Sequence, residues 1–420
     1  MIRTKNLILG AGIAGLGASY ALHNRGESSV IVEKSDIYGG LCASFTINGF
    51  RFDRFVHLSF STIDEVNKIF NESCPNIYRH IPNPFNFYNG LWIKHPAQNN
   101  LYPLPEDEKR LIINDFLKRP SVDGRIIKNY EDWLRLQFGD YFAEHFPMVY
   151  TKKYWRKNAF ELRTEWVGSR VYQPSVEEVI DGCNSPDTPI TYYAKEMRYP
   201  QKGGYISYLK KLEEVADIKY NMEVIRIDTR EKLVTFSNGE NARYDRLISS
   251  LPLPELVQMC NAPAYVLNAA KQLEYTSGYH VSVGLKSKCI PPYLWWYIYD
   301  EDILASRVYS PSLKSADNAP EGCSSLQFEV SCKEGEYTND ELINGTVNKF
   351  IEKGVLKEED ILFTHIGFEK YANVVFSEPI FISRNVVRNW LSSVNIETIG
   401  RFGEWDYFWS DQSLMSGLSI

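Results

Sequence analysis

Five glycines and one carboxylate near the N-terminus are the residues best placed to do chemistry. Gly10, Gly12 and Gly15 form a G-x-G-x-x-G run, Glu33 follows eighteen positions after Gly15, and the pair Gly39-Gly40 comes next. A turn of this kind at the start of a helix aims backbone N–H groups at a pyrophosphate. Gly10 permits the tight turn, Gly12 admits the phosphates to the backbone, Gly15 allows close helix packing, and Glu33 can accept ribose hydroxyls. A plain nicotinamide dehydrogenase has no need of Gly39-Gly40. A second backbone approach suits a longer cofactor whose far end bears a flavin. Lys34 and Leu41 adjoin these positions and are candidate cofactor contacts as well.

These residues need a strand, a helix and a second strand to hold them. Leu7, Ile8 and Leu9 read as a buried parallel strand, Ile13 to Arg25 as a helix closed by Gly26, and Ser29 to Val32 as the next strand, ending on Glu33. The uncharged run Leu7 to Leu22 after Arg3 and Lys5 also resembles the apolar core of an export signal, but its four glycines serve a phosphate loop far better than an inserting helix.

At 420 residues the chain is long enough for two or three domains. A net charge of -7 provides no basic stripe for a phosphate backbone, so nucleic acid is not expected as a partner. The seven cysteines are scattered without a C-x-x-C pair, which fits reduced thiols, a cytoplasmic setting and no metal site. No apolar run is long enough for a membrane span. Oligomerisation is left open. The 27 Tyr, 22 Phe and 9 Trp fit either a bulky core or a pocket lined with flat faces.

Further along, Phe45 to Phe52 reads as a hairpin turning at Asn48-Gly49. From Ser61 the pattern becomes helical. Thr62-x-x-Glu65 and Ser175-x-x-Glu178 read as capping boxes, Pro105 starts a helix, and Tyr130 to Trp155 reads as two helices separated at Gly139. A helix is expected from Tyr205 to Val215, then strands over Glu223 to Asp228, Leu233 to Phe236 and Leu247 to Ser250. Residues 255–379 alternate strands and helices as an α+β, antiparallel-sheet domain would. The expected fold class is therefore α/β: a discontinuous Rossmann-like FAD-binding domain (1–60, 195–254 and 380–420), a helical insertion (61–194) and the α+β sheet domain (255–379).

Taken in order, several blocks resemble one superfamily across nearly the whole chain. They are Gly10-x-Gly12-x-x-Gly15, Gly39-Gly40, Phe52-Asp53 with His57, Trp166-x-Gly168-x-Arg170, Arg198-Tyr199-Pro200, Leu251-Pro252-Leu253 and Gly400-Arg401-Phe402-Gly403. The superfamily is that of flavin-containing amine oxidases and protoporphyrinogen oxidase-like proteins, and within it the sequence is most similar to UDP-galactopyranose mutases of the eukaryotic type and their bacterial relatives. The resemblance implies non-covalent FAD, reduced by NADPH or NADH, and a nucleotide-sugar substrate whose ring is contracted without net redox change, in surface polysaccharide synthesis. In such mutases the flavin N5 attacks the anomeric carbon and UDP leaves, so the absence of a Ser-His-Asp, paired-carboxylate or metal-ligand constellation is what the resemblance implies.

The resemblance also implies site roles. Arg170 and Arg307 match the clamp on the diphosphate, Tyr407 a tyrosine on the same group, and His57 a histidine beside the isoalloxazine for which a structural use competes. Arg401, following Gly400, matches the arginine near the flavin or its pyrophosphate, Val224 a backbone contact to adenine, and Asp411, Gln412 and Ser413 the start of a helix facing the flavin. Trp295 and Trp296 could border the sugar pocket, with one of the two turned into the core by strand alternation. Departures are visible too: Phe55-Val56 stand where these mutases carry Gly-Gly, and Thr151 stands before Trp155 where they carry asparagine. An FAD-dependent amine oxidase or protoporphyrinogen oxidase-like oxidoreductase is the alternative, and a flavin-stabilised scaffold with its flavin face blocked by Phe55 is a third reading.

Overall fold

The computed structural model describes residues 1–120 and 126–420. The apolar run before the glycine loop is the end of a longer strand, Ile2–Leu9, whose last four residues are buried, as a central parallel strand requires. It pairs in parallel with Ser29–Val32 on one side and Asn241–Ser249 on the other. The helix Ile13–Asn24 connects the first two strands and completes the expected βαβ unit. Asn241–Ser249 changes partner along its length: its first half runs antiparallel to Leu233–Phe236 and its second half parallel to Ile396–Thr398. The carboxyl ends of four parallel strands therefore share one edge, to which they deliver Gly10, Glu33, Ser250 and Gly400. In an open parallel sheet that edge is where ligands bind.

A second seven-stranded sheet runs in the order Ile361–Val374, Tyr275–Leu285, Ser324–Cys332, Arg307–Tyr309, Trp295–Ile298, Phe85–Tyr88, Leu91–Lys94. Its pairs are antiparallel except Trp295–Ile298 with Phe85–Tyr88. Every residue of Ser324–Cys332 is buried, and its faces divide by alternation. Leu326, Phe328 and Val330 enter an apolar core with Val281, Val283, Trp296, Val308 and Phe350. Glu329 and Ser331, of opposite parity, line a cavity on the other side.

Several local expectations are corrected. The stretch after Ser61 is not purely helical, because Phe85–Tyr88 and Leu91–Lys94 extend the second sheet and Ile77–His80 pairs with Met197–Pro200. Ile77–His80 and Phe85–Tyr88 are stabilised by partners distant in sequence, whereas Leu91–Lys94 folds back on Phe85–Tyr88 as a local hairpin at Asn89-Gly90, a turn signal the sequence does carry. The Thr62 capping box does not form: the helix is Asp64–Ser73, its N-cap is Ile63 without a side-chain cap, and the Ser61 hydroxyl accepts from the Ile63 N–H instead. The Ser175 box forms as expected. Tyr130 to Trp155 holds three helices, Tyr130–Phe138, Asp140–His145 and Pro147–Trp155, because Pro147 cannot continue the second and starts the third. Tyr205 to Glu213 is a 3-10 turn followed by one short α-helical turn rather than a full helix.

Candidate active site

At the edge of the parallel sheet the backbone fits a pyrophosphate. Gly10 adopts φ +95°, and a Cβ on Gly15 would stand 2.0 Å from the Gly10 carbonyl oxygen, so a side chain is excluded at the second and strained at the first. An added Cβ on Gly12 meets nothing within 4 Å, which leaves open space over the loop. The second glycine pair closes on the first: the Gly39 N–H donates to the Ala11 carbonyl at 2.8 Å, and a Cβ on Gly40 would lie 3.3 Å from the Gly12 Cα. Glu33 is held at the mouth of this loop, its carboxylate accepting from the N–H groups of Ala11 at 2.9 Å and Ser35 at 3.0 Å. Gly400 packs on the same helix, where a Cβ would come within 2.6 Å of Ala14 Cβ. These features fit a dinucleotide lying along the strand ends.

The remaining candidate cofactor positions fall around this edge. Lys34 is exposed beside Glu33, and Leu41 lines the smaller of the cavities described below. Val224 is buried and its backbone pairs with Phe236. Asp411, Gln412 and Ser413 lie in the first turn of the helix Ser410–Leu418, where the Gln412 side chain caps the Trp409 N–H at 2.9 Å and the Asp411 carboxylate accepts from the Gln412 N–H. That helix packs tightly on Ile13–Asn24, since a Cβ on Gly417 would be 2.1 Å from the Ala14 carbonyl.

Between the two sheets lie two adjoining cavities of about 90 and 180 Å³ that share Val56, His57, Tyr154, Arg307 and Arg401 in their walls. The larger is walled by aromatic rings, among them Phe60, Tyr192, Tyr193, Trp295, Tyr407 and Trp409. Two guanidinium groups, Arg307 and Arg401, stand in the walls, and a third, Arg170, lies behind the Tyr407 and Trp409 rings. Arg170 donates to the carbonyls of Trp166 at 2.9 Å and Tyr407 at 3.0 Å, with its Cζ 4.8 Å from the Tyr407 ring and 4.7 Å from the Trp409 ring. Arg401 sits 5.1 Å from the same Tyr407 ring and donates to Asn373 Oδ1 at 2.9 Å, an oxygen that also accepts from the Tyr154 hydroxyl. The Tyr154 and Tyr407 hydroxyls are 3.3 Å apart. Arg307 donates through Nε at 2.7 Å and Nη2 at 2.5 Å to one oxygen of Glu329. Burial works against the charge of Arg307, but the Glu329 carboxylate outweighs it and holds the guanidinium pKa well above its ordinary value. Among the described residues the cavity walls hold Arg307, Arg401 and one carboxylate, Glu329, and with Arg170 behind the rings the cluster carries an excess of two positive charges.

His57 lies in both cavity walls with its ring buried 4.9 Å from the Tyr205 ring. Burial pushes its pKa down to about 4, with the Asp53 charge only partly opposing, so the imidazole is neutral at pH 7. Phe55, two positions before it, has φ +63° in the region that favours glycine. This turn is held from several sides. The Phe55 carbonyl faces the Tyr309 hydroxyl at 3.1 Å, the Val56 N–H donates to Glu329 at 2.5 Å, and the Phe55 ring fills the space a Cβ on Gly278 would need. Alternation separates the two tryptophans: Trp296 is in the apolar core and Trp295 in the cavity wall. Trp155 is buried among Trp166 and Tyr407 rather than facing the cavity.

Sequence reasoning missed Tyr154, Asn373, Glu329 and Lys314. Glu329 was legible in part, as the one charged residue in a strand that alternates apolar and polar positions. Lys314 and Asp53 form an ion pair at 2.5 Å with neither side chain exposed. Asp53 also accepts from the Tyr199 hydroxyl, the Ser44 hydroxyl and the Tyr205 N–H. Burial alone would raise the Asp53 pKa, but Lys314 and these donors hold it below the usual carboxylate range.

Comparison with known proteins places this geometry in a family. The chain is similar to the crystal structure of a reduced UDP-galactopyranose mutase, with 26% identity, a TM-score of 0.92, and coverage of 99% of this chain and 94% of that one. It shares its fold with a putative protoporphyrinogen oxidase from Exiguobacterium sp. 255-15, at 17% identity and a TM-score of 0.76, covering 100% of this chain and 97% of that one. A phytoene desaturase of Phycomyces blakesleeanus is 27% identical over 294 residues, which is 59% of this chain and 48% of that protein, so the match spans about half the length of this curated relative. The family model for flavin containing amine oxidoreductases matches residues 13–352, and the chain therefore belongs to that family.

Proposed function

We propose that the chain is an FAD-dependent, UDP-galactopyranose mutase-like isomerase that interconverts pyranose and furanose forms of a nucleotide-linked sugar for surface polysaccharide synthesis. The observation that carries this reading is the charge around the aromatic-walled cavity: Arg307 and Arg401 stand in its walls, Arg170 lies behind the Tyr407 and Trp409 rings, and Glu329, paired to Arg307, is the single carboxylate among the described residues lining the two cavities. An excess of two positive charges suits a diphosphate, and a cationic amine would find, among the described residues of the walls, no anion except the already paired Glu329. The similarity to the reduced mutase structure supports the same reading. When bound and reduced, FAD supplies the nucleophilic nitrogen for the anomeric carbon.

The chain's own residues would bind and orient. Residues 1–60, 195–254 and 380–420 hold the cofactor in this reading: the glycine loops and Gly400 approach the pyrophosphate, Glu33 takes the ribose hydroxyls, and Lys34, Leu41 and Val224 complete the contacts. The start of the Ser410–Leu418 helix offers its positive end to the flavin ring. Residues 61–194 and 255–379 enclose the substrate. Arg170 and Arg307 grip its diphosphate, where planar forks match phosphate oxygens, Tyr407 donates its hydroxyl to the same group, and Arg401 balances negative charge beside the flavin. His57 serves as a neutral hydrogen-bonding wall. NADPH or NADH is the proposed reductant and the cytoplasm the proposed location.

The test is chemical. Purified protein carrying FAD is reduced with dithionite and incubated with UDP-, dTDP- and GDP-hexoses, and a furanose product is expected. No product from any donor, together with oxygen-dependent turnover of an amine, would replace this reading with the oxidase one.

A further inference from the structure

Arg307 differs from Arg401 in the same walls, and from Arg170 behind the aromatic rings, in already having an anion. Arg170 and Arg401 donate to neutral amide oxygens, whereas Nε and Nη2 of Arg307 both point at Glu329 Oε2. The two residues face each other in register on adjacent antiparallel strands, so the backbone cannot separate them and only side-chain rotation can. The other carboxylate oxygen, Oε1, is held independently by the Val56 N–H at 2.5 Å. Glu329 can therefore surrender Arg307 without losing its own anchor. A diphosphate approaching Arg307 needs the two nitrogens that the carboxylate occupies, and meets a like charge beside them.

We propose that Glu329 is an internal stand-in for the ligand's diphosphate, which masks Arg307 and must release it before the arginine can grip a nucleotide sugar. The inference rests on the nucleotide-sugar reading above and adds to it a residue that limits affinity. The masked and unmasked arginines are two states in equilibrium, and the ligand binds the unmasked one. Its apparent affinity is the intrinsic one reduced by the unmasked fraction. The mask is also selective, because a neutral or singly charged ligand offers too little to displace a carboxylate held by two donors, whereas a diphosphate does.

The experiment is a titration of UDP, and separately of inorganic pyrophosphate, into reduced holoprotein of the wild type, Glu329→Gln and Glu329→Asp. Glu329→Gln keeps the shape and the acceptor for Val56 but removes the charge, and is expected to tighten both ligands on the order of tenfold. Glu329→Asp, which draws the carboxylate back by one methylene, is expected to tighten them less. If Glu329 merely orients Arg307, both substitutions weaken binding or leave it unchanged, and the proposal is overturned. Flavin content of each variant reports its folding. A crystal structure of the wild type with UDP tests the same point without any variant: Arg307 turned to phosphate with Glu329 still on the Val56 N–H supports the proposal, and Arg307 still on Glu329 ends it. Failure of UDP and pyrophosphate to bind any form would remove the nucleotide-sugar reading itself, and the masking inference with it.

Discussion

At the scale of single residues, the site divides into positions that need no side chain and positions that need a charge. Gly15 belongs to the first group. With the Gly10 carbonyl 2.0 Å from where its Cβ would stand, Gly15→Ala must push the phosphate loop off the helix. Overpacking of this kind costs about 1–3 kcal/mol. The expected outcome is a lower Tm and loss of the flavin absorbance from the purified protein. Arg170 belongs to the second. Its guanidinium bonds to two carbonyls and lies against two rings, yet has no carboxylate partner among the described residues. Arg170→Ala is expected to retain FAD and to lower kcat/KM on the order of 100-fold, as removal of one preorganised charge donor does elsewhere. Arg170→Lys, which keeps the charge but not the fork, should recover only part of it. Steady-state kinetics on the reduced enzyme separates these outcomes.

At the scale of elements, the Asp53–Lys314 pair ties the strand Phe50–Asp53 to the helix Pro311–Lys314 that follows the cavity strand Arg307–Tyr309. Lys314 Nζ also lies 4.4 Å from the Tyr199 ring and 4.6 Å from the Tyr309 ring, so two aromatic rings adjoin the charge. Tyr309 in turn faces the Asp53 and Phe55 carbonyls and fixes the turn that carries His57 into the cavity. Breaking such a pair by removing one partner costs about 3–5 kcal/mol, because the remaining charge is left buried. Lys314→Met is expected to show that loss in denaturant unfolding. Lys314→Met combined with Asp53→Asn should be less harmful than the sum of the two single changes, since no uncompensated charge remains.

At the scale of the whole molecule, three imidazoles are kept neutral by burial in separate places: His57 at the cavity, His95 just after the strand Leu91–Lys94, and His280 on the strand Tyr275–Leu285 of the second sheet. Burial pushes their pKa values down to about 4, about 3 and about 3. The sign follows from linkage. Below about pH 6.5 the unfolded chain takes up protons that the folded one refuses, so stability is intact above that pH and is lost as pH falls through 4 and 3. His57 alone accounts for roughly 3 kcal/mol of this loss at the acid end. Denaturant unfolding measured from pH 7.5 to 4.5 should show falling stability below 6.5, and His280→Asn should reduce the slope. An unchanged slope in that variant would show that His280 is protonated in the fold.

Much of the dinucleotide half was legible before any coordinates, because its determinants are local. A glycine loop, the helix it opens and the acid at the end of the next strand lie within thirty-odd residues, and backbone sterics alone restrict what such a run can do. The strand Leu233–Phe236 was readable for the same reason, through composition and period. The cavity was not. Glu329 meets Arg307 only because two strands align in register, Asn373 joins Arg401, 28 positions away, to Tyr154, 219 positions away, and Lys314 finds Asp53 across 261 positions. Motif reading identified the three arginines one by one, but whether each faces a neutral oxygen or a carboxylate depends on long-range packing. Local sequence thus determined the glycine loop and the strand and helix that frame it, while the net charge of the cavity was decided by tertiary contacts, since charge pairing depends on distance in space and not along the chain.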